Sequence, residues 1–186
     1  YLLILLKIMF SNKINNIINN LINVTKQCSM TQRHAAAVLN KKSITYGVNH
    51  ERCRLKGRVC CAVHAEQDAI NRFMGKNLKF YNGKWFCSKK IKSKKLSMFI
   101  IRVNSFGELI ESAPCKTCID LMKAINISKI YYSNSSGNIT CSNINNLSSF
   151  ISVGDAFLFC ITNINYNSTF TDAVNFKKQF LLRKSS

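Results

Sequence analysis

Residues 63–74 read VHAEQDAINRFM, and their apolar positions recur at the spacing of an amphipathic helix. Before this helix come two short runs typical of β-strands, residues 34–40 (HAAAVLN) and residues 44–48 (ITYGV). Residues 41–43 (KKS) join the two runs as a turn. The sequence therefore predicts a β-hairpin that leads, through a basic loop, into a helix.

The alternation of strands and helices continues on both sides of this stretch. Residues 12–28 carry apolar side chains at helical spacing, and residues 96–103 (LSMFIIRV) form an apolar run with the length of a buried strand. Residues 114–125 (PCKTCIDLMKAI) predict a helix with Pro114 in its first turn. Residues 129–133 and 138–141 predict two further strands. This order predicts the α/β class, a mixed sheet with helices on both faces.

The composition excludes several classes of protein. The chain has 186 residues, 47% hydrophobic and 19% charged, which fits one globular domain and argues against intrinsic disorder. One Pro and seven Gly exclude collagen-like and Pro-rich architectures. The net charge of +19 favours polyanionic partners such as nucleotides or nucleic acid. The abundance of Lys, Asn and Ile, typical of AT-rich coding sequence, explains part of this charge equally well.

The termini and the cysteines bear on cellular location. Residues 1–10 are mostly apolar but fall short of the about 20 residues of a membrane span, so no membrane association is predicted. We expect Met9 to be the natural start, or the chain to be a fragment. Residues 1–8 are therefore given little weight in predicting the fold and function. Nine irregularly spaced Cys favour reduced thiols and a cytoplasmic location. The lysines of residues 89–95 leave a nuclear location open.

Two short motifs bring together residue types with catalytic chemistry. His64, Cys115 and Cys118 supply one imidazole and two thiols, the donors of a catalytic zinc that keeps its fourth position for water. The two Cys lie on one helical turn near the N-terminus, where the helix dipole favours thiolates. Glu66 is two positions from His64, so on a helix the two side chains point in different directions and cannot easily ligate the same metal. Glu66 can instead stand beside the metal and transfer protons.

His-Ala-Glu at residues 64–66 followed by Pro-Cys-x-x-Cys at residues 114–118 resembles the zinc-dependent cytidine and deoxycytidylate deaminase superfamily. The resemblance extends from about Arg33 to about Cys141. It implies a three-layer α/β/α cytidine deaminase-like fold with a mixed five-stranded sheet and Zn²⁺ as the cofactor. It also implies a hydrolase that acts on the C–N bonds of cyclic amidines.

The resemblance further implies a role for six residues. The zinc ligands would be His64, Cys115 and Cys118. Glu66 would be the catalytic proton shuttle. Asn49 matches a position where relatives hydrogen-bond the substrate sugar or base, although Asn is also a common turn residue. Ala65 matches a position whose backbone N–H contacts the pyrimidine carbonyl. A His as first ligand resembles the nucleotide, tRNA and nucleic-acid branches of the superfamily.

Three functions follow as hypotheses. The first is hydrolytic deamination of a cytosine-type base in dCMP or a related nucleotide, with Arg52 and Arg54 of the basic loop 50–62 meeting sugar and phosphate. The second is deamination of a base in RNA or single-stranded DNA, including tRNA adenosine. The third is a catalytically silent, zinc-containing nucleic-acid-binding protein. Relatives commonly form dimers or hexamers, so a homo-oligomer is also expected.

Residues 76–95 are read as an insertion because the interval from Glu66 to Pro114 is longer than in many relatives. They contain eight Lys, no acidic residue and four aromatic residues. They are compatible with a solvated loop, with a nucleic-acid groove in which Phe80, Tyr81 or Trp85 stacks on bases, and with a nuclear address or a lid over a phosphate.

The predicted organisation is an N-terminal segment with the amphipathic helix (1–29), a deaminase domain (30–145) and a C-terminal extension (146–186). The extension could hold a strand over residues 157–161 and a helix from Thr171 to Leu182. A second, structural zinc site is also conceivable, although its spacing matches no known finger. Its ligands would come from His50, Cys53, Cys60, Cys61 and Cys87.

Overall fold

The computed structural model describes residues 12–51, 54–81, 84–88, 96–147 and 150–156. Arg52, Cys53, the lysines of residues 89–95, and the predicted elements over residues 157–161 and 171–182 lie outside these residues. The helices that pack on the sheet are α1 (Asn12–Thr25), α2 (Ala65–Met74) and α3 (Lys116–Ala124). The strands are β1 (Arg33–Asn40), β2 (Ser43–Val48), β3 (Arg54–Leu55), β4 (Arg58–Val59), β5 (Leu78–Tyr81), β6 (Lys84–Cys87), β7 (Leu96–Val103), β8 (Leu109–Ile110), β9 (Ile127–Ser133) and β10 (Ile139–Asn143).

The main sheet is mixed and has the strand order β10-β9-β7-β1-β2. The central strand β7 runs antiparallel to β1 and parallel to β9, and the two outer pairs are antiparallel. These are the five strands that the sequence predicts. The two-residue strand β8 adds a sixth by pairing with the end of β7. Strand β7 is buried along most of its length, so successive side chains are apolar instead of alternating between apolar and polar.

Helix α1 covers one face of the sheet. Ile17, Ile18 and Leu21 form its buried stripe, which packs against Ala35 on β1 and Phe99 on β7. The helix ends at Thr25, three residues before the predicted end, where the Thr25 hydroxyl donates a hydrogen bond to the carbonyl of Ile22 at 2.6 Å. This face of the sheet is therefore sealed by apolar contacts.

Helices α2 and α3 cover the opposite face, which confirms the three-layer α/β/α arrangement. Alternate residues of the same strands, Ala36 on β1 and Ile100 on β7, point into this second core. Helix α2 lies so close to β2 that a Cβ on Gly47 would come within 2.2 Å of the backbone nitrogen of Ala69. Glycine at this position thus sets the height of α2 above the sheet.

Several local expectations need correction. Helix α2 begins at Ala65 rather than at Val63, because Val63 instead forms a β-bridge with His50. Pro114 precedes the N-cap residue Cys115 rather than lying in the first turn of the helix. The fourth main strand begins at Ile127, two residues before its predicted start.

Two stretches interpreted as loops contain hairpins. Strands β3 and β4 pair within the basic loop 50–62, and β5 and β6 pair within the Lys-rich segment 76–95. No described helix combines the length and the apolar character that crossing a membrane requires.

Candidate metal centre

The N-termini of α2 and α3 meet at one point above the sheet. His64 is the N-cap residue of α2, and Cys115 is the N-cap residue of α3. Both have extended backbone conformations, while their carbonyls accept the first helical hydrogen bonds from Asp68 and Ile119 at 3.0 Å. The positive ends of two helix dipoles therefore converge where the thiols lie, which favours negative charge there.

The three predicted ligands come together with the spacing of a metal site. The Nδ1 atom of His64 lies 3.4 Å from the sulfur of Cys115 and 3.4 Å from that of Cys118, and all three donor atoms lie within 4.8 Å of one another. In a tetrahedral zinc site with bonds of about 2.3 Å to sulfur and about 2.0 Å to nitrogen, the N···S separation is about 3.5 Å. One imidazole and two thiols at this spacing fit zinc.

The protonation of these donors reflects burial and their mutual contacts. Burial alone would lower the pKa of His64, but its hydrogen bond to Cys115 and the charge of Glu66 outweigh burial and raise this pKa to about 9. A hydrogen bond from Cys118 is the largest cause that lowers the pKa of Cys115 to about 5. Burial raises the pKa of Cys118 well above its ordinary value. The centre is thus organised around negative charge on Cys115, and binding of a metal cation would release protons.

Glu66 lies in the first turn of α2, with only 4% of its surface exposed. Burial raises the pKa of its carboxyl group, and the neighbouring His64 opposes this effect. A buried carboxyl group with a raised pKa, placed beside the candidate metal donors, is suited to exchange a proton with a neighbouring group.

The loop that leads into Cys115 is held by a buried serine pair. The hydroxyl of Ser112 donates to the carbonyl of Ile100 on β7 at 3.0 Å and accepts from the hydroxyl of Ser133 on β9 at 2.8 Å. The backbone N–H of Ser112 also donates to the carbonyl of Ser133 at 2.9 Å. These bonds fix the loop to the parallel strand pair immediately before the first thiol. The sequence analysis did not single out either serine.

The family model described as cytidine and deoxycytidylate deaminase zinc-binding region matches residues 11–134. The chain belongs to this deaminase family. Zinc is therefore the cofactor of the matched region, in agreement with the donor set. Among solved structures, the 1.6 Å crystal structure of cytidine deaminase from Burkholderia pseudomallei is similar over 71% of this chain and 98% of its own, with 14% identity and a TM-score of 0.45. A comparison with curated protein sequences finds no match.

The two residues that the deaminase resemblance links to substrate occupy different environments. Ala65 is the first residue of α2, where a backbone N–H has no acceptor within the helix. Asn49 follows β2 and is 7% exposed, and its side-chain amide is already engaged. It donates to the carbonyl of Gln32 at 2.6 Å and accepts from the backbone N–H of His34 at 2.8 Å. Substrate contact by Asn49 stays a prediction, and it would require exchange of these bonds.

The sequence analysis did not identify the contacts of Asp155, a residue that follows the stretch matched by the deaminase family model. Its carboxylate accepts hydrogen bonds from Thr117 at 2.7 Å and from Ser152 at 2.8 Å, and pairs with Arg58 at 2.5 Å. Burial raises its pKa, but these bonds outweigh burial and lower it overall. Thr117 lies between Cys115 and Cys118 at the start of α3, so Asp155 ties the candidate centre to Arg58 on β4.

The possible second zinc site is not assembled within the described part of the chain. Among those residues, His64, Cys115 and Cys118 are the only group of three or more candidate ligands within metal-binding reach of one another. His50 instead faces Asp68, with 3.4 Å between its Nε2 and the carboxylate. Cys53 lies outside the described residues.

Proposed function

We propose that this protein is a hydrolytic deaminase that removes the exocyclic amine of a cytosine-type base, with dCMP or a related nucleotide as its substrate. The observation that carries the proposal is the buried Glu66 carboxyl group beside three converging metal donors. His64, Cys115 and Cys118 would hold zinc, and Glu66 would move protons. Membership of the deaminase family supports the reaction class.

The reaction replaces the C4–N bond of the base by a C4–O bond, with one water consumed and one ammonia released. Zinc, when bound, supplies a Lewis acid that lowers the pKa of water toward neutrality. Glu66 would accept the proton that the attacking water loses and deliver it to the departing amine. The same carboxyl group would first accept a proton and then donate it. A raised pKa favours this exchange, because the protonated form is then easier to reach.

The base would be oriented by backbone groups at the start of α2. The N–H of Ala65 is a donor suited to the pyrimidine carbonyl, because helix geometry leaves it without an internal acceptor. Within the 50–62 loop, we assign contact with the substrate phosphate to Arg54 on β3, whose side chain is exposed. Arg58, in contrast, is committed to Asp155.

The test is product formation measured by mass spectrometry. Wild-type protein and the Glu66→Ala variant would each be incubated with dCMP, CMP, cytidine, guanine and a cytosine-containing single-stranded oligonucleotide. We expect conversion of dCMP to dUMP by the wild type alone, with equal zinc content in both proteins.

Two other outcomes would change the proposal. Conversion only within the oligonucleotide would replace the nucleotide by a polynucleotide substrate. No conversion of any substrate by zinc-loaded wild type would contradict a cytosine-type substrate. Loss of zinc in the Glu66→Ala variant would show that Glu66 has been given the wrong role.

A further inference from the structure

The β5–β6 hairpin presents four exposed side chains on one face. In its register Lys79 pairs with Phe86, and Tyr81 pairs with Lys84. Because side chains alternate along a strand, all four lie on the same side, here called the ribbon face. Tyr81 is 68% exposed and Phe86 is 48% exposed, and both lysines are exposed as well. The ribbon face therefore combines two accessible aromatic rings with two cations.

The opposite face of the same hairpin is anchored. Leu78 is buried in the core beneath α2 and α3, and Trp85 and Cys87 pack against that core. The rings of Phe80 and Trp85 also contact each other, with centroids 4.9 Å apart. The hairpin already has an apolar face against the protein, so Tyr81 and Phe86 are not needed to hold it in place.

A cleft of about 630 Å³ lies over the hairpin. Its lining combines aromatic residues from both faces of the hairpin with two lysines, one of them from the β3–β4 turn. The lining residues are Lys56, Leu78, Lys79, Phe80, Tyr81 and Phe86. The guanidinium of Arg58 on β4 lies 5.9 Å from the centroid of the Phe80 ring and joins the two hairpins. The cleft is large enough to accept a planar ring system.

The charge of this region selects the occupant. Residues 76–81 and 84–88 contain Lys76, Lys79 and Lys84 and no acidic side chain, in a chain of net charge +19. A partner must therefore be anionic and must also offer flat apolar rings to Tyr81 and Phe86. A nucleic acid strand with unpaired bases offers both, because every base has a π-face and every nucleotide has a phosphate.

We propose that the ribbon face binds single-stranded nucleic acid, with bases stacked on Tyr81 and Phe86 and phosphates neutralised by Lys56, Lys79 and Lys84. The two rings are diagonal neighbours across the hairpin, a separation of about 7 Å. This is about twice the 3.4 Å rise between stacked bases of a duplex strand, so the rings match an extended, unstacked strand. The inference goes beyond the proposed deaminase activity, because stacking on this face requires no turnover.

The test measures binding of a fluorescein-labelled oligothymidine by fluorescence anisotropy at several salt concentrations. This probe contains no cytosine, so its binding is independent of the proposed deamination. The Tyr81→Ala, Phe86→Ala double variant should lose at least about tenfold in affinity, since each stacked base contributes about 1–3 kcal/mol. Tyr81→Phe should retain affinity. The Lys79→Gln, Lys84→Gln double variant should reduce the slope of log K against log salt by about 1.4.

Matched controls use exposed residues away from the cleft. Phe106→Ala removes an exposed ring from the turn before β8, and Lys129→Gln removes an exposed cation from β9. Both should bind like the wild type, and circular dichroism would confirm that all variants are folded.

Equal affinity in the wild type and both double variants would overturn the proposal. So would equal binding of a duplex of the same length, or binding to anionic lipid vesicles without any binding of the oligonucleotide.

Discussion

The two faces of the central sheet are built from alternate residues of the same strands, yet they differ in what they cover. On the α1 side, Ile17, Leu21 and Phe99 form a sealed apolar layer. On the α2 and α3 side, an apolar core of similar composition is interrupted at one end by His64, Glu66 and two thiols. Among the described residues, both faces contribute apolar cores, whereas the candidate metal donors all lie on one of them.

This difference follows from how helices end. Helix α1 lies along the sheet and presents only its apolar stripe, so its ends carry no buried polar group of the centre. Helices α2 and α3 instead bring their N-terminal ends together, so that the positive ends of their dipoles face the candidate centre. Substitutions on the two faces should therefore separate loss of function from loss of stability.

The largest effect is expected at a metal donor. Cys118→Ala should abolish zinc binding and activity together, because a structural or catalytic zinc site with two remaining donors loses most of its binding free energy. Zinc per chain, measured by inductively coupled plasma mass spectrometry, checks this. The control is Cys141→Ala on the exposed surface of β10, which should keep its zinc. Equal zinc content in both variants would contradict the assigned centre.

The next effect isolates catalysis from metal binding on the same face. Glu66→Gln should lower kcat by about 10²–10⁴-fold, the usual contribution of a positioned proton-transfer group. Zinc content and melting temperature should remain close to wild type, because the amide fills the same buried volume. The exposed residue Glu51 provides the control Glu51→Gln, which should retain full activity. A Glu66→Gln variant that turns over at the wild-type rate would remove Glu66 from the mechanism.

On the opposite face the effect should be one of stability alone. Leu21→Ala removes a fully buried side chain from the α1 layer and should cost about 2–5 kcal/mol in the free energy of unfolding. Urea denaturation measures this loss. The zinc content of the folded fraction should not change, because the three candidate ligands lie on the opposite face. Loss of zinc at concentrations of urea where the variant remains folded would show that the two faces are coupled.

Gly47→Ala should affect both stability and activity. The added Cβ would meet the backbone of Ala69 and the carbonyl of Ala65, which no side-chain rotation can relieve. We expect a loss of about 1–3 kcal/mol, the usual cost of overpacking, together with reduced activity because α2 carries His64 and Glu66. Denaturation and kcat measured on the same preparation check the prediction. Lost stability with unchanged kcat would mean that α2 accommodates the added Cβ without displacing His64 and Glu66.

The smallest effect is expected at Asp155. Asp155→Asn weakens the bonds to Thr117 and Arg58 and should cost about 0.5–1.5 kcal/mol in the free energy of unfolding. Because its folded-state pKa is lowered, the stabilisation by Asp155 is present above its unfolded pKa and is lost as pH falls through the folded value. The difference in stability between wild type and variant should therefore be larger at pH 7 than at pH 3. A difference that does not change with pH would contradict a role for the carboxylate charge.

Local sequence signals predicted much of this molecule. The hairpin of β1 and β2, the central strand β7 and the three helices each follow from periodicity over a few residues, which is a property of neighbouring side chains. The candidate centre was predicted because its donors occupy two short motifs at helix starts. The β5–β6 hairpin was missed, although Asn82-Gly83 is a strong turn signal, because its many lysines obscured the alternation.

Contacts between distant segments depended on the tertiary structure. The sequence does not show that Asp155 reaches Thr117 and Arg58, that Ser112 pairs with Ser133, or that Asn49 is engaged by residues 32 and 34. Polar groups such as these are common along the chain, and only the packing of the sheet and helices decides which of them meet. The sequence by itself determined the residue types available to the centre, because composition and spacing are local. The tertiary structure decided their partners and the open face of the β5–β6 hairpin, because burial depends on the whole fold.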